Sequence, residues 1–580
     1  MLGNIPNALL ISGGYIYMSI IKKTLSVATV LATITGFAYA TSAGEYAKLP
    51  GKNWLGYGGD AGQQRYHPSD GINVDNAKNL NVKWIHQHGE KLGSHETTPV
   101  IEDGIMYYTT PYNHVFAVDA ATGKELWQYT HKNKPAIYCC GPNSRGVALL
   151  KDKVVFATLD AMLVALDKKT GKLTWERQIA DNEAGYSQTH TPAVYKDKII
   201  MGMSGAEYGI RGFISAYNVD DGKLAWKWYT VPSPTYTNPD GLKGWTGDFV
   251  NVTDPGIGDE PLNRDIAAEK AAIKSGKHDD AWKVGGASAW MTGSVDHSEG
   301  SVYFTTGNPS PDLDGLIRPG DNRWSDALVK INANNGKLIW AYQYIRHDVW
   351  DLDSVSPPIL ADVKDESGNM VKGVIHGGKT GWVYIHAASD GHLIRRSKEM
   401  IPHENLFALP TSEGTRMLPG ANGGVEWSPG AFSPKTRLSY YVNLHQPMNY
   451  ITHSAGYQKG KLWLGSAFVA IPGEKQWGRI SAVNVDTAKI EWEVDTDEPM
   501  IGGGCVTGGG VFFAGEANGY FRAYNAKTGK KLREFQTGAG ANAACALYEL
   551  GGKLHVAVAS GGNAQINAPR GDNLIVFTVD

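Results

Sequence analysis

Two aspartates stand close together in the segment HDVWDLD, residues 347–353, where Asp351 and Asp353 are two positions apart beside Trp350. On a β-strand, side chains at i and i+2 project from the same face, so we expect both carboxylates to face one point. Two such carboxylates repel each other unless a cation lies between them or one of them is protonated. These residues alone predict either a cation site with an adjacent base or a polar turn at a strand end.

The four cysteines are a second source of chemistry, because Cys139 and Cys140 are adjacent while Cys505 and Cys545 lie far along the chain. Adjacent Cα atoms are about 3.8 Å apart across a trans peptide, closer than the roughly 4.4–6.8 Å of ordinary disulfides. A bond between neighbours would be strained, and such strain tends to mark functional sites. We predict this bond, with pairing to Cys505 or Cys545 left open. The sequence has no C-x-x-C-H motif, so no c-type haem is expected.

The N-terminus has the pattern of an export signal. Lys22 and Lys23 precede an apolar run over residues 24–37, and Ala38-Tyr39-Ala40 forms a small-x-small cleavage site. We predict a signal peptide over residues 1–40, with Met18 as an alternative start, and a soluble periplasmic mature chain without a membrane span. A membrane anchor is the alternative, although the run is short for a spanning helix. The formal net charge of −3 gives no sign of a nucleic-acid partner.

The elements that must position these groups belong to a sequence repeat. In each copy a short apolar strand ends at Asp or Asn, Gly follows four residues later, and Trp often follows four after that. The copies are centred on Asp119, Asp167, Asn218 and Asn332, with degraded copies at Ala387, Asn484 and Asn525. Asp or Asn favours the turn, Gly supplies positive φ and Trp begins the next strand, so each copy predicts a hairpin.

Most copies recur at intervals of roughly 40 to 55 residues, which is typical of one four-stranded propeller blade. The chain ends in IVFTVD, whose Asp580 fits the first half of an eighth copy, and NLNVKWIHQ near the N-terminus supplies Trp84 for the second half. The sequence therefore predicts an all-β fold, an eight-bladed β-propeller of four-stranded antiparallel blades closed by the N- and C-terminal segments.

We expect a single domain over residues 41–580. The two long intervals of the repeat predict loop insertions over one face, near 231–289 and 396–470. Within the first insertion, DIAAEKAAIKSG at 265–276 predicts a short exposed helix.

Over essentially the whole mature chain, the sequence resembles the pyrroloquinoline quinone (PQQ)-dependent alcohol dehydrogenases of the methanol dehydrogenase type. In that family a disulfide between adjacent cysteines packs on one face of the quinone and a tryptophan stacks on the other. CCGPNSRG and GGASAWMTG are similar to those two segments. The resemblance implies the cofactor contacts Glu96, Cys139, Cys140, Arg145, Thr189, Ser204, Gly205, Ala206, Trp290, Lys379 and Trp427. One departure is Glu426, which precedes Trp427 where methanol-type enzymes carry Asn.

The resemblance also implies the metal ligands Glu207, Asn308, Asp351 and Asp353, whose hard oxygens suit calcium or a lanthanide better than zinc or copper. Asp351 matches the family's catalytic base. Asp353 occupies a position where lanthanide-dependent relatives carry an extra aspartate, and an added negative oxygen favours a trivalent cation. Some membrane-bound glucose-oxidising relatives have this aspartate without lanthanide dependence, so calcium is the alternative to the favoured lanthanide.

The implied function is a periplasmic quinoprotein dehydrogenase that oxidises a primary alcohol to an aldehyde by hydride transfer to PQQ. Asp351 accepts the alcohol proton, the metal acts as Lewis acid, and electrons pass to a separate soluble cytochrome c. The natural alcohol and a homodimeric state are left open. The alternatives are a PQQ enzyme for sugars or polyols and a non-catalytic propeller scaffold, which needs the repeat but none of the four metal ligands.

Overall fold

The computed structural model describes residues 40–134, 137–241, 244–245 and 264–579. One compact unit spans Ser42–Asp580. The predicted signal peptide, apart from Ala40, lies outside the described residues, as do Asp580 and part of the first predicted insertion. No helix in the described ranges combines the length and the apolar character needed to cross a membrane.

Helices are few. The predicted short helix is confirmed as α1 (Ile266–Lys274), which begins where the Asp265 side chain accepts the Ala268 N–H at 2.9 Å. It is not exposed throughout, because Glu269 is buried and pairs with Arg264. Short 3-10 turns occupy Ala43–Ala47, Ala77–Asn79, Pro111–Asn113, Asn182–Ala184, Ala206–Tyr208, Ala281–Val284 and Gly315–Ile317.

The strands are organised mainly as successive antiparallel quartets. Two strands come before the first quartet: β1 (Tyr66–His67) and β2 (Leu80–Gln87). The first three quartets are β3 (Val100–Glu102), β4 (Ile105–Thr109), β5 (His114–Asp119), β6 (Glu125–Thr130); β7 (Ala148–Leu150), β8 (Lys153–Ala157), β9 (Met162–Asp167), β10 (Leu173–Gln178); and β11 (Ala193–Tyr195), β12 (Lys198–Met201), β13 (Phe213–Asn218), β14 (Leu224–Tyr229). The next two are β15 (Ser294–Asp296), β16 (Ser301–Thr305), β17 (Ala327–Asn332), β18 (Leu338–Gln343); and β19 (Ile359–Lys364), β20 (Met370–Gly377), β21 (Val383–Ala387), β22 (Leu393–Arg396).

Three further sheets of four or five strands follow, and two of them include a strand from near the N-terminus, β1 or β2. The remaining strands are β23 (Thr415–Met417), β24 (Ala431–Ser433), β25 (Leu438–His445), β26 (Met448–Thr452), β27 (Ser466–Ala470), β28 (Trp477–Asn484), β29 (Ile490–Thr496), β30 (Gly504–Thr507), β31 (Val511–Gly515), β32 (Tyr520–Asn525), β33 (Lys531–Gln536), β34 (Ala546–Leu550), β35 (Lys553–Ser560) and β36 (Asn573–Val579). Their sheet orders are β24-β25-β28-β29, β30-β31-β32-β33 with β1 added parallel to β30, and β34-β35-β36-β2. A separate sheet has the order β23-β26-β27.

The segment 396–470 differs from the expected loop, because β24 and β25 within it build half of a four-stranded sheet. Side chains that alternate along β25 enter two different cores. Tyr441 packs with Ile359 and Phe432, whereas Tyr440 packs with Phe512. A strand buried on both faces has no polar alternation and here lacks the turn signature, so the repeat did not reveal it.

The tryptophans of the repeat join each sheet to the next. In the first such contact the Trp127 indole donates to the Lys168 carbonyl at 3.2 Å, and a Cβ added to Gly171 would lie 2.5 Å from the ring. A glycine at this turn therefore allows the ring to lie against the backbone. The equivalent indole donors and carbonyl acceptors are Trp84–Ala120, Trp175–Val219, Trp226–Ala333, Trp340–Ala388 and Trp492–Ala526.

The chain termini share one sheet. Strand β2 pairs with β36 in antiparallel register from Leu80↔Val579 to Gln87↔Asn573. Trp84 in β2 then contacts the turn of the first quartet through Ala120. The structure confirms the predicted all-β propeller of four-stranded antiparallel sheets.

Candidate active site

The predicted site residues lie on loops that meet at one end of the sheets. One group precedes the first strand of a sheet: Glu96, Arg145, Thr189, Trp290, Asp353 and Trp427. A second group follows the second strand: Ser204, Gly205, Ala206, Glu207, Asn308 and Lys379. In an antiparallel sheet the start of strand one and the end of strand two lie at the same edge. Loops from several sheets therefore reach a common cavity.

That cavity has a volume of about 330 Å³. The predicted residues that line it are Cys139, Cys140, Arg145, Thr189, Ser204, Gly205, Glu207, Trp290, Asp351, Asp353, Lys379 and Trp427. Glu96, Ala206 and Asn308 do not line it and lie buried beside it. The structure thus brings together residues that are up to about 290 positions apart in sequence, as a closed ring of sheets requires.

Arg145 is held by a buried network. Its Nη2 lies 2.7 Å from Glu96 Oε2, and its Nη1 donates to Thr189 Oγ1 at 2.8 Å. The guanidinium carbon is 4.3 Å from the Trp427 ring centroid and 5.5 Å from that of Trp290. Burial raises the pKa of Glu96 to about 7, although the Arg145 charge acts to lower it. Glu96 therefore acts here by positioning Arg145.

Lys379 joins the two aspartates of HDVWDLD. Its Nζ lies 3.0 Å from Asp351 Oδ1 and 2.8 Å from Asp353 Oδ2. Burial opposes the charge of Lys379, but the carboxylates of Asp351, Asp353 and Glu426 outweigh it and hold its pKa well above the usual value. The expected convergence of the two carboxylates is thus present, with an ammonium group between them.

The expected strand geometry of this segment is wrong. Residues 347–353 form a loop between β18 and β19 in which Asp351 has a φ of +57°. The Asp348 carboxylate accepts the N–H groups of Trp350 at 2.7 Å and Leu352 at 2.9 Å, which curls the backbone. Local side-chain acceptors of this kind compete with strand pairing.

Asp351 is a half-buried acid at the cavity. Burial raises its pKa well above the usual value, Lys379 acts against this, and Asp353 and Asp312 add to it. Once ionised, such a carboxylate is a stronger proton acceptor than a solvated one. This matches what a base in the cavity needs.

Glu207 and Asn308 stand on two neighbouring loops. Glu207 lies in a 3-10 turn that follows Gly205, whose φ is +119°. Burial raises the pKa of Glu207, and its Oε2 accepts no hydrogen bond from the described residues. The Asn308 backbone N–H donates to Asp353 Oδ1 at 2.8 Å. The backbone of the Asn308 loop is therefore hydrogen-bonded directly to the carboxylate of Asp353, a second predicted metal ligand.

The cysteine prediction requires a correction. Cys139 and Cys140 are not bonded to each other, and the disulfide joins Cys505 to Cys545. The Cα atoms of Cys505 and Cys545 are 5.6 Å apart, within the usual disulfide range, whereas neighbouring residues fall short of that range. Hydrogen bonding to Cys140 and burial both raise the pKa of the Cys139 thiol. Both thiols still line the cavity.

Two acids at the cavity were not assigned by the sequence. Asp312 lines the cavity and is only 1% exposed, yet it stands in a Gly/Pro-rich run that predicts a surface turn. Glu426 was identified only as a departure from the family. Burial raises its pKa to about 7, with Lys379 acting against this. No local sequence pattern distinguishes these acids from solvated ones, because burial is a tertiary property.

The residues present fit a hard cation. Glu207, Asp312, Asp351, Asp353 and Glu426 all line the cavity, where Lys379 is already shared by two of them. Cys139, Cys140 and Glu207 have potential ligand atoms that all lie within 4.8 Å of one another. In the described ranges, no other group of three or more His, Cys, Asp or Glu side chains meets this limit. The predicted carboxylate ligands surround the cavity at longer range. Such an excess of buried and half-buried acids favours a bound cation.

Part of the cavity wall is apolar. Met448 and Phe468 come from the small sheet β23-β26-β27, and Leu462, Leu464 and Ala421 come from the adjoining loops. These residues belong to the second predicted insertion. It therefore contributes directly to the site.

The propeller and its one-sided cavity are those of a quinoprotein-type dehydrogenase. The sequence model of the PQQ glucose/ethanol/alcohol dehydrogenase beta-propeller domain matches residues 54–401 and 457–556. The chain belongs to this family, and it is an enzyme of the PQQ-dependent alcohol dehydrogenase type, which confirms the predicted resemblance.

Relatives of known name agree. The chain is 35% identical over 525 residues to quinoprotein alcohol dehydrogenase PedH of Pseudomonas putida, covering 86% of this chain and 84% of the relative. It is 32% identical over 541 residues to the putative dehydrogenase XoxF of Paracoccus denitrificans, covering 88% and 87%. A solved europium-containing methanol dehydrogenase superposes with a TM-score of 0.79 at 28% identity, covering 92% of this chain and 99% of that one.

Proposed function

We propose that this protein is a periplasmic quinoprotein dehydrogenase that oxidises a primary alcohol to an aldehyde and passes the electrons to a separate cytochrome c. Asp351 is the base and one metal ion is the Lewis acid. The observation that carries the proposal is the single cavity lined by Trp290, Arg145, Lys379 and a surplus of carboxylates.

The cavity suits a flat quinone that carries carboxylates. Its volume of about 330 Å³ fits a small cofactor. Arg145 and Lys379 supply positive charge, Thr189 and Ser204 supply hydroxyl donors, and Trp290 supplies an aromatic face. When bound, PQQ supplies the electron acceptor for the alcohol carbon, and the protein binds, orients and tunes it.

Asp351 is the group that accepts the hydroxyl proton of the alcohol. The alcohol hydroxyl gives its proton to the Asp351 carboxylate as the alcohol carbon is oxidised. Lys379, 3.0 Å from Asp351 Oδ1, holds that carboxylate in place. Exclusion of water by the surrounding buried residues maintains the high basicity on which the transfer depends.

We propose a trivalent lanthanide as the metal, with calcium as the alternative. Glu207, Asn308, Asp351 and Asp353 would hold it through oxygen atoms, and each anionic ligand contributes more Coulomb attraction to a trivalent ion than to a divalent one. The likeness to a europium-containing methanol dehydrogenase supports this choice.

Three further parts of the proposal concern the whole protein. We propose that the sheets built on β3, β7, β11, β15, β19, β24, β30 and β34 are eight blades, supported by their shared four-stranded order. The export pattern at residues 22–40 supports a periplasmic location. We propose a soluble cytochrome c as the electron acceptor, as the family resemblance implies.

A PQQ enzyme for sugars or polyols is the second candidate. Met448, Leu462, Leu464 and Phe468 form an apolar part of the cavity wall that offers no hydrogen-bond partner to a substrate hydroxyl. Such a wall favours the hydrocarbon chain of a simple primary alcohol, because unpaired hydroxyls lose their hydrogen bonds to water.

Reconstitution tests the proposal. Purified full-length protein is incubated with PQQ and either La³⁺ or Ca²⁺, and reduction of an artificial acceptor is followed with primary alcohols, glucose and glycerol. We expect turnover with primary alcohols, higher with La³⁺ than with Ca²⁺, and little with glucose or glycerol. Absence of turnover with every metal and substrate would contradict the enzyme assignment.

A further inference from the structure

The loop that carries Asn308 places a second acid in the cavity four residues later. Asp312 is 1% exposed and lines the cavity, and its Oδ1 accepts no hydrogen bond within the described part of the chain. Burial raises the pKa of Asp312, and the neighbouring Asn308 side chain acts to lower it. A buried carboxylate oxygen without a partner is costly, and such groups are normally paired or bound to a metal.

The nearby cations do not neutralise Asp312. The buried Arg318 uses its donors elsewhere: Nε and Nη2 donate to the Pro311 carbonyl at 3.1 and 3.0 Å, and Nη1 donates to Asn322 Oδ1 at 2.8 Å. Nη2 also reaches the backbone carbonyls of Asp312 and Asp348. Lys379 contacts Asp351 and Asp353.

The same contacts fix the position of Asp312. Arg318 ties the Asp312 backbone to that of Asp348, three residues before Asp351. On the other side, the Leu313 N–H donates to the Leu464 carbonyl at 2.8 Å, and the Trp463 N–H donates to the Glu207 carbonyl at 2.7 Å. One short segment therefore holds the loops of both Asp312 and Glu207 at the cavity.

We propose that Asp312 is a further carboxylate ligand of the cation in this cavity, beside Glu207 and Asp353, and that it strengthens the preference for a trivalent cation. The inference rests on the proposed metal site. Asp312 Oδ1, the buried oxygen without a hydrogen-bond partner in the described part of the chain, is the proposed ligand atom, because a bound cation would satisfy it. Coulomb attraction scales with cation charge, so loss of this carboxylate weakens the binding of a trivalent ion more than that of a divalent one.

Metal affinity, not turnover, tests the proposal. Full-length protein loaded with PQQ is titrated with Tb³⁺, whose luminescence is sensitised by Trp290 and Trp427, and Ca²⁺ affinity follows from competition. We expect Asp312→Asn to weaken Tb³⁺ binding about 10- to 100-fold and Ca²⁺ binding less. Asp314→Asn is the matched control, because Asp314 lies in the same loop and accepts the Leu316 N–H at 3.1 Å. Its affinity should equal that of the wild type.

The outcomes separate this inference from the proposed function. Wild-type Tb³⁺ affinity in Asp312→Asn, together with weakened binding in Asp353→Asn, overturns the role of Asp312 and leaves the metal site standing. Failure of the wild type to bind either ion overturns both. If Asp312→Asn does not fold, as judged by circular dichroism, Asp312→Glu replaces it. Asp312→Glu keeps a carboxylate at this position, so it must keep the preference for Tb³⁺ over Ca²⁺. A folded Asp312→Glu protein without that preference overturns the proposal.

Discussion

At the scale of single residues, the site depends on how one ammonium group and several acids share a cavity. Lys379 contacts Asp351 and Asp353 at 3.0 and 2.8 Å, so it holds both carboxylates in position. Asp351 is the one of the two whose backbone carbonyl also accepts a hydrogen bond from Lys379 Nζ, at 3.1 Å. Its orientation is therefore set by side chain and backbone together, as a base must be.

Asp351→Asn should keep bound PQQ yet lose turnover. Asparagine has nearly the same shape and can still accept a hydrogen bond from Lys379, but it cannot take up the alcohol proton. We expect turnover to fall by about 10² to 10⁴. Absorbance of bound PQQ and acceptor reduction measure the two properties separately.

Asp495→Asn is a suitable control for that variant, because Asp495 pairs with Arg479 at the surface. It should retain wild-type turnover. An Asp351→Asn protein with full turnover would remove Asp351 as the base.

At the scale of elements, the hairpin turns of the repeat have two structural roles. A turn with positive φ reverses the chain, and its flat backbone supports the tryptophan of the preceding sheet. Gly391 has a φ of +81°, and a Cβ there would lie 2.5 Å from the Trp340 ring. Gly368, in another hairpin of the same sheet, has a φ of +87°, and a Cβ there would meet no described heavy atom within 4 Å.

This pair separates backbone strain from the tryptophan contact. Gly368→Ala should lower the free energy of unfolding by about 1–2 kcal/mol, the cost of a left-handed conformation. Gly391→Ala should lower it by a further ~1–3 kcal/mol, because the added methyl group overpacks the ring. Urea unfolding measures both. Equal losses in the two variants would show that the tryptophan contact contributes little.

At the scale of the whole molecule, long-range links hold the ring together. Strands β2 and β36 pair across nearly the full length of the chain. The Cys505–Cys545 disulfide joins β30 to the residue before β34, and so links two neighbouring sheets. Both sulfur atoms belong to buried residues.

Removal of this disulfide should destabilise the protein without altering the cavity. We expect the double variant Cys505→Ala/Cys545→Ala to lose about 2–4 kcal/mol of unfolding free energy. Cys139→Ala/Cys140→Ala removes the same number of cysteines but no bond, so its loss should be clearly smaller. The opposite ranking in urea unfolding would contradict the disulfide assignment.

The sequence by itself determined the propeller class, most of its hairpins and the chemical types around the cavity. These follow from local physics: Asp, Gly and Trp at fixed offsets encode a turn and its packing residue, and carboxylates and amides are hard ligands wherever they stand. The family motifs added the order in which Arg145, Glu207, Asp351 and Lys379 occur.

Only the tertiary structure decided which of these groups meet. The loop form of HDVWDLD, the two buried strands within 396–470, the Cys505–Cys545 pairing and the burial of Asp312 all depend on contacts between residues far apart in sequence. Such contacts form only when the ring of sheets closes, and no local pattern encodes the resulting distances or the loss of solvent that shifts each pKa.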